Sequence, residues 1–185
     1  MKNDFIMPIA VLLIICIVIT GALAATNEFT APVIAHAAAD RAAASMRVIL
    51  PEAEEFTAIE LSDETIEGGV TEMYDATAGG EPLGYIVVSA ADGYGGESSI
   101  IIIVAVSHDL TIINLKTLKN AETQGLGTRV SEPEFESTFI GSNASVADYQ
   151  AISGATVSSQ AYLSAVDHAL QACAEVTISR GGFVA

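Results

Sequence analysis

Positive charge is the scarcest feature of this chain. Seven Lys and Arg stand against 23 Asp and Glu, a formal net charge of −16 over 185 residues. Lys2 and Asp4 cancel, so the whole imbalance lies beyond an apolar N-terminal block. A domain this acidic repels nucleic acid and anionic lipid surfaces, which excludes nucleic acid as a partner. Cysteine is nearly absent. Cys16 lies inside the apolar block and Cys173 in a C-terminal helical pattern, so no disulfide between them is expected. Neither has the paired spacing of a zinc or iron–sulfur site. The three histidines, His36, His108 and His168, are far apart and match no metal motif, so no metal site is expected. The chain also lacks a G-x-S-x-G elbow, a Gly-Lys-Ser/Thr phosphate loop and the third glycine of a dinucleotide-binding turn. Serine hydrolysis, nucleotide hydrolysis and Rossmann-type binding are set aside on those grounds.

What is present begins with the apolar block. No charged residue occurs from Phe5 to Thr26. At about 1.5 Å per residue, a helix of that length just exceeds the roughly 30 Å of a hydrocarbon core. Pro8 falls in its first turn, where a missing N–H costs little. Ala22-Leu23-Ala24 resembles a signal-peptide cleavage site, but the apolar stretch is long and its basic start minimal, which favours an uncleaved anchor. The weak positive bias before the span places the N-terminus in the cytoplasm and the acidic domain outside. The expected organisation is a transmembrane anchor over residues 1–26, an alanine-rich helical stalk over 27–50, and one extracytoplasmic domain over 51–185.

Within that domain, alternating or continuous apolar runs predict strands at Thr57–Leu61, Val70–Ala76, Gly84–Ser89, Ile100–Val106 and Leu110–Leu115. The β-branched run from Ile100 to Val106 reads as a strand buried on both faces. Ser107-His108-Asp109 reads as a hairpin turn. Ala91 to Gly96 reads as a glycine-rich loop around one aromatic residue, Tyr94. Pro133–Ile140 predicts a short helix with Phe135 and Phe139 on one face. Val157 to Val176 predicts a final helix with Tyr162, Val166, Ala169, Leu170 and Cys173 along one stripe. The fold class is therefore α+β, with a mainly antiparallel sheet and flanking helices.

Two short runs could carry chemistry. In Glu122-Thr123-Gln124-Gly125-Leu126-Gly127-Thr128-Arg129, two glycines flank a leucine, so the backbone can come close to a flat ligand; a plain glycine turn fits the same letters. In Ile152-Ser153-Gly154-Ala155-Thr156-Val157-Ser158-Ser159, one threonine stands between a glycine turn and a helix start. A phosphate ester there would meet free backbone N–H groups and the positive end of the helix dipole. A serine-capped turn with no ligand is the competing reading.

Taken in order, the anchor, Gly84–Ser89, the Gly93-Tyr94-Gly95-Gly96 loop, the buried strand pair, the Glu122–Thr128 loop and the Ser153–Ser159 run resemble a known family. This is the covalent-FMN domain shared by the G subunit of Rnf electron transport complexes and the C subunit of the sodium-translocating NADH:quinone oxidoreductase. The compact spacing favours the Rnf protein. The resemblance runs through nearly the whole chain, with two departures: Gln150 stands where the family usually has an acid three positions before Ser153, and Gln124 where it usually has proline.

That resemblance implies FMN esterified through its phosphate to Thr156 by a dedicated flavin transferase. It also implies a cofactor site built from Ser153, Gly154, Ala155, Val157 and Ser158 on one side and Gly125, Leu126, Gly127 and Thr128 on the other. The implied role is an electron relay in an ion-pumping ferredoxin:NAD oxidoreductase, with the other subunits of that complex and the bilayer (through residues 5–26) as partners. The flavin supplies the redox chemistry, so the lack of a catalytic acid or base agrees with a carrier.

Overall fold

The computed structural model describes residues 9, 11–21, 26, 30, 45–143 and 149–180. Residues 11–21 are helical and their large apolar side chains, Leu12, Leu13 and Ile17 among them, are exposed. Among the described residues no helix is long and apolar enough to cross a membrane. The expected span over 5–26 falls partly on residues outside that set, namely 5–8, 10 and 22–25, as does most of the expected stalk.

A compact unit runs from Met46 to Ala185. It therefore takes in the last turn before Pro51: Met46, Ile49 and Leu50 are buried, and Asn114 Nδ2 donates to the Ile49 carbonyl at 3.1 Å. Five strands follow one another as an antiparallel meander in the order β1 (Glu55–Ala58), β2 (Val70–Ala78), β3 (Glu81–Gly93), β4 (Gly96–Ser107) and β5 (Ile112–Asn120). After β1 the α-helices are α1 (Asp63–Glu67), α2 (Pro133–Glu136) and α3 (Thr156–Ser179).

The sheet is built around β4, whose β-branched side chains fit a pleated surface. Side chains alternate across a strand. Ile102, Val104 and Val106 join the main core, while Ile103 and Ala105 point to the opposite face and are buried as well. The expected double-sided burial of this strand is what the fold contains. Helix α3 lies over β3 and β4, giving the core Ala161, Tyr162, Ala165, Val166, Ala169 and Cys173 at helical spacing. Leu170 of the expected stripe is half-buried at its margin. Burial pushes the Cys173 thiol pKa well up, so this cysteine is a packing residue rather than a nucleophile.

Four details differ from the sequence-based expectation. The glycine-rich segment at 91–96 is not a separate loop: Gly93 pairs with Gly96, so β3 and β4 run on into a tight hairpin with Tyr94 and Gly95 at its tip. The first strand starts earlier, at Glu55, and its continuation at Ile59 reaches Met73 by a single backbone bond of 2.9 Å. Leu110 belongs to a turn, with φ +61, so β5 begins at Ile112 and runs on to Asn120. The helix at Pro133 stops at Glu136 and gives way to a 3-10 turn over Ser137–Phe139. There the Ser137 and Thr138 hydroxyls bond the carbonyls of Glu134 and Phe135, which competes with continuing the helix. Phe135 and Phe139 still share a face, and both pack on Tyr162, with centroids 5.4 and 5.7 Å away.

Candidate functional site

The run from Ile152 to Ser159 folds as a closed turn into α3. Gly154 takes φ +82, a left-handed conformation that favours glycine, and the Ala155 N–H bonds the Ile152 carbonyl at 2.9 Å. Ser159 is buried, and its Oγ accepts from the Ile152 N–H at 3.0 Å, locking the turn from behind. Thr156 is the first helical residue and is exposed. The N-cap position belongs to Ala155, which offers no side-chain hydrogen bond. Ser153 is therefore not the cap that the competing reading required. The amides of the first turn are left without a side-chain acceptor, an arrangement suited to an anion.

Facing that turn is the loop after β5. The Leu126 and Thr128 amides both reach the Thr123 carbonyl at 3.2 Å, and Gly125, at φ +76, donates to Thr128 Oγ1 at 2.9 Å. The loop thus holds Leu126, half exposed, toward the Gly154 turn. Between the two lies an open cavity of about 420 Å³. Gly154, Ala155, Thr156, Val157 and Ser158 line one side, Thr123, Leu126 and Gly127 another, and Tyr94 of the β3–β4 hairpin a third. Seven of the ten sequence-derived site residues meet here. Ser153, Gly125 and Thr128 do not line the cavity; the latter two shape the loop that does.

Three large apolar side chains stand exposed at this cavity: Tyr94 at 74%, Val157 at 51% and Leu126 at 50%. They form an apolar rim beside a hydroxyl and a helix N-terminus. The volume falls within the range of roughly 300–1,000 Å³ usual for small-molecule sites. A flat aromatic ring carrying a phosphate matches that combination of surfaces, so the residues present fit FMN.

Beneath the cavity is a residue that sequence reasoning quoted but gave no role. Glu122 is only 7% exposed. Its carboxylate accepts from Ser158 Oγ at 2.5 Å, from the Tyr94 N–H at 3.0 Å and from the Gly95 N–H at 2.9 Å. Burial alone would raise its pKa. Hydrogen bonds from Ser158, Ser99, Gly95 and Tyr94 outweigh that effect and hold the carboxyl below its usual range. The neighbouring glycines follow from this packing. A Cβ on Gly127 would lie 2.5 Å from Ser158 Oγ and 2.6 Å from Glu122 Cβ, and one on Gly93 would lie 2.3 Å from Glu122 Oε1. Gly127, expected only to let the backbone approach a ring, is required by the protein's own packing. The signal that pointed to Glu122 was an acid followed by glycines; its partners, 27 to 36 residues away, carried no local mark.

Among the described residues no cluster of His, Cys, Asp and Glu could hold a metal ion. His108 packs edge-on against Tyr85 at 4.8 Å, and His168 Nε2 lies 3.4 Å from Ser164 Oγ.

Comparison with known proteins adds to this geometry. The FMN-binding domain family matches residues 93–171, which include the hairpin tip, the loop after β5 and the start of α3. The chain is similar to the G subunit of the proton-translocating ferredoxin:NAD(+) oxidoreductase complex of Clostridium ljungdahlii, 28% identical over 92% of this chain and 91% of the relative. It is 30% identical to the G subunit of the ion-translocating oxidoreductase complex of Methanosarcina acetivorans, over 88% of this chain and 90% of the relative. It is also 29% identical to the G subunit of the Na(+)-translocating ferredoxin:NAD(+) oxidoreductase complex of Acetobacterium woodii, over 87% of each chain.

Proposed function

This chain belongs to the family formed by the G subunits of ion-translocating oxidoreductase complexes, and on that premise we propose that it is an electron-carrying flavoprotein of a membrane-bound ferredoxin:NAD oxidoreductase, with FMN esterified to Thr156. One observation carries the reading. Thr156 opens a helix that has no capping side chain, and it lines an apolar-rimmed cavity inside the matched FMN-binding region.

Each part of the site has a task in this reading. Thr156 Oγ1 supplies the ester oxygen, and a flavin transferase would install the FMN. Attachment keeps the cofactor in place outside the cytoplasm, where a lost flavin is not replaced. The first amides of α3 and its dipole balance the remaining negative charge of the phosphodiester. Leu126 and Val157 offer apolar surface to the isoalloxazine, and Tyr94 an aromatic one. Bound FMN supplies the redox chemistry. The chain's residues hold it, shield it and set its surroundings. They need move no proton to do so. Residues 5–26 serve as the membrane anchor, with the N-terminus cytoplasmic and the domain on the far side. The other subunits of the complex are the electron-transfer partners.

The test is intact and peptide mass of the full chain co-expressed with a flavin transferase. The peptide containing Thr156 should gain FMN less one water, and Thr156→Val should lose the adduct completely while keeping the melting temperature of flavin-free wild type. An unmodified wild-type peptide, alongside a control substrate that the transferase does label, would refute the reading.

A further inference from the structure

We propose that Glu122 is a positioning residue for the flavin site: its buried carboxylate ties the hairpin tip that carries Tyr94 to the first turn of α3 around Thr156, and its charge lowers the reduction potential of a flavin held there. The inference rests on the flavin reading above and goes beyond it, because no local motif gives Glu122 a function.

The geometry of the carboxylate carries the argument. One oxygen takes the Gly95 amide at 2.9 Å; the other takes the Tyr94 amide at 3.0 Å and the Ser158 hydroxyl at 2.5 Å. Three segments distant in sequence thus meet on one side chain: the β3–β4 tip, the loop after β5 and the start of α3. The contact is reinforced from Ser99, whose Oγ accepts the Gly93 amide at 2.8 Å and whose carbonyl accepts the Ala121 amide at 2.8 Å. Gly93, Gly95 and Gly127 leave no room for a side chain around this knot, so the three segments close on Glu122 without slack.

The Tyr94 ring is 74% exposed, although its backbone N–H is held by a buried acid. What the tie achieves is a fixed place for an exposed aromatic ring at the rim of the cavity that contains Thr156. It also sets a negative charge against that cavity through Ser158 and Tyr94, two of its lining residues. Electrons added to a bound flavin would then arrive next to an existing negative charge. Such a charge disfavours the reduced form and lowers the reduction potential.

The experiment compares full-length wild type with Glu122→Gln and Ser158→Ala, each co-expressed with a flavin transferase. Three readouts are taken: FMN stoichiometry by mass, midpoint potential by spectroelectrochemical titration, and amide hydrogen exchange at Tyr94 and Gly95. Glutamine keeps the shape, removes the charge and puts an NH2 donor in place of one accepting oxygen. Glu122→Gln should therefore retain FMN on Thr156 but shift the potential upward and speed exchange at both amides. Ser158→Ala keeps the charge and loses one donor, so its potential should move less than that of Glu122→Gln.

An unchanged potential in fully flavinylated Glu122→Gln overturns the proposal while leaving the flavin reading intact. So does faster exchange with an unchanged potential, which would make Glu122 a structural tie only. Wild type without FMN sinks the flavin reading, and this inference with it. If Glu122→Gln fails to fold, Ser158→Ala decides: no change in potential or exchange there counts against the proposal.

Discussion

At its first turn α3 begins with Ala155, which offers no side-chain hydrogen bond, and leaves Thr156 and Val157 exposed. At its last turn the same helix is tied down. Thr177 Oγ1 donates to the Cys173 carbonyl at 2.8 Å and lies 3.3 Å from the Tyr85 hydroxyl, and Arg180 pairs with Asp75. Both ends of a helix leave backbone groups without intrahelical partners. At the C-terminal end the Val176 carbonyl accepts from Ser179 Oγ and from the Arg180 N–H, whereas no side chain caps the N-terminal end. Aromatic residues divide in the same way. Phe139 and Tyr162, the latter in the second turn of α3, are sealed in the core, whereas Tyr94 stands 74% exposed at the cavity. Side chains that pack the core are buried, whereas Tyr94, Leu126 and Val157 at the cavity are exposed.

That contrast can be broken most directly in the core. Phe139→Ala should destabilise the domain by about 3–5 kcal/mol in denaturant titration, because it empties a fully buried aromatic site. Leu126→Ala and Val157→Ala should stay within about 0.5 kcal/mol of wild type when no flavin is attached, since both side chains face the open cavity. A large loss in either of the latter would mean that the rim serves the fold after all.

Next comes the knot between the two regions. Gly127→Ala should cost about 1–3 kcal/mol, because the new methyl group meets Ser158 Oγ and Glu122 Cβ inside van der Waals contact. Urea unfolding checks it, and a neutral outcome would show that the loop can move aside.

The acid limb of stability sharpens the comparison further. The folded state holds the Glu122 carboxyl below its ordinary value of 4.5, so its contribution is fully present above that value and disappears as pH falls through the lowered one. Glu122→Gln lacks this linkage. The gap in melting temperature between wild type and variant should therefore hold at neutral pH and narrow under acid. A gap that does not change with pH would argue that charge at Glu122 is not what stabilises the site.

The smallest effect belongs to the tied end of the helix. Asp75 raises the pKa of Arg180 by a direct hydrogen bond, yet the arginine side chain is 48% exposed and solvent screens the pair. Arg180→Ala should cost only about 0.2–1 kcal/mol by thermal unfolding, and flavin attachment at the opposite end should be unaffected.

Much of this was legible in the letters, and the misses have identifiable causes. Strand β4 announced itself through seven consecutive apolar residues, most of them β-branched, and α3 through apolar spacing of three and four. The boundary at Leu110 was misplaced because an apolar residue in a left-handed turn looks like a strand residue in sequence. The segment at 91–96 looked like a loop because glycine signals flexibility in a string of letters, whereas here it signals close packing on Glu122.

By itself the sequence determined the local matters: the strands, the long last helix, and a lone threonine behind a glycine turn. Those follow from periodicity and from backbone preferences that act over a few residues. Only the tertiary structure decided what stands around that threonine. Tyr94 lies 28 residues from Glu122 in the chain, and Ser158 lies 36 from it on the other side. Their meeting depends on how the sheet closes under the helix, and a carboxylate's partners are set by that closure in space, not by its neighbours in the chain.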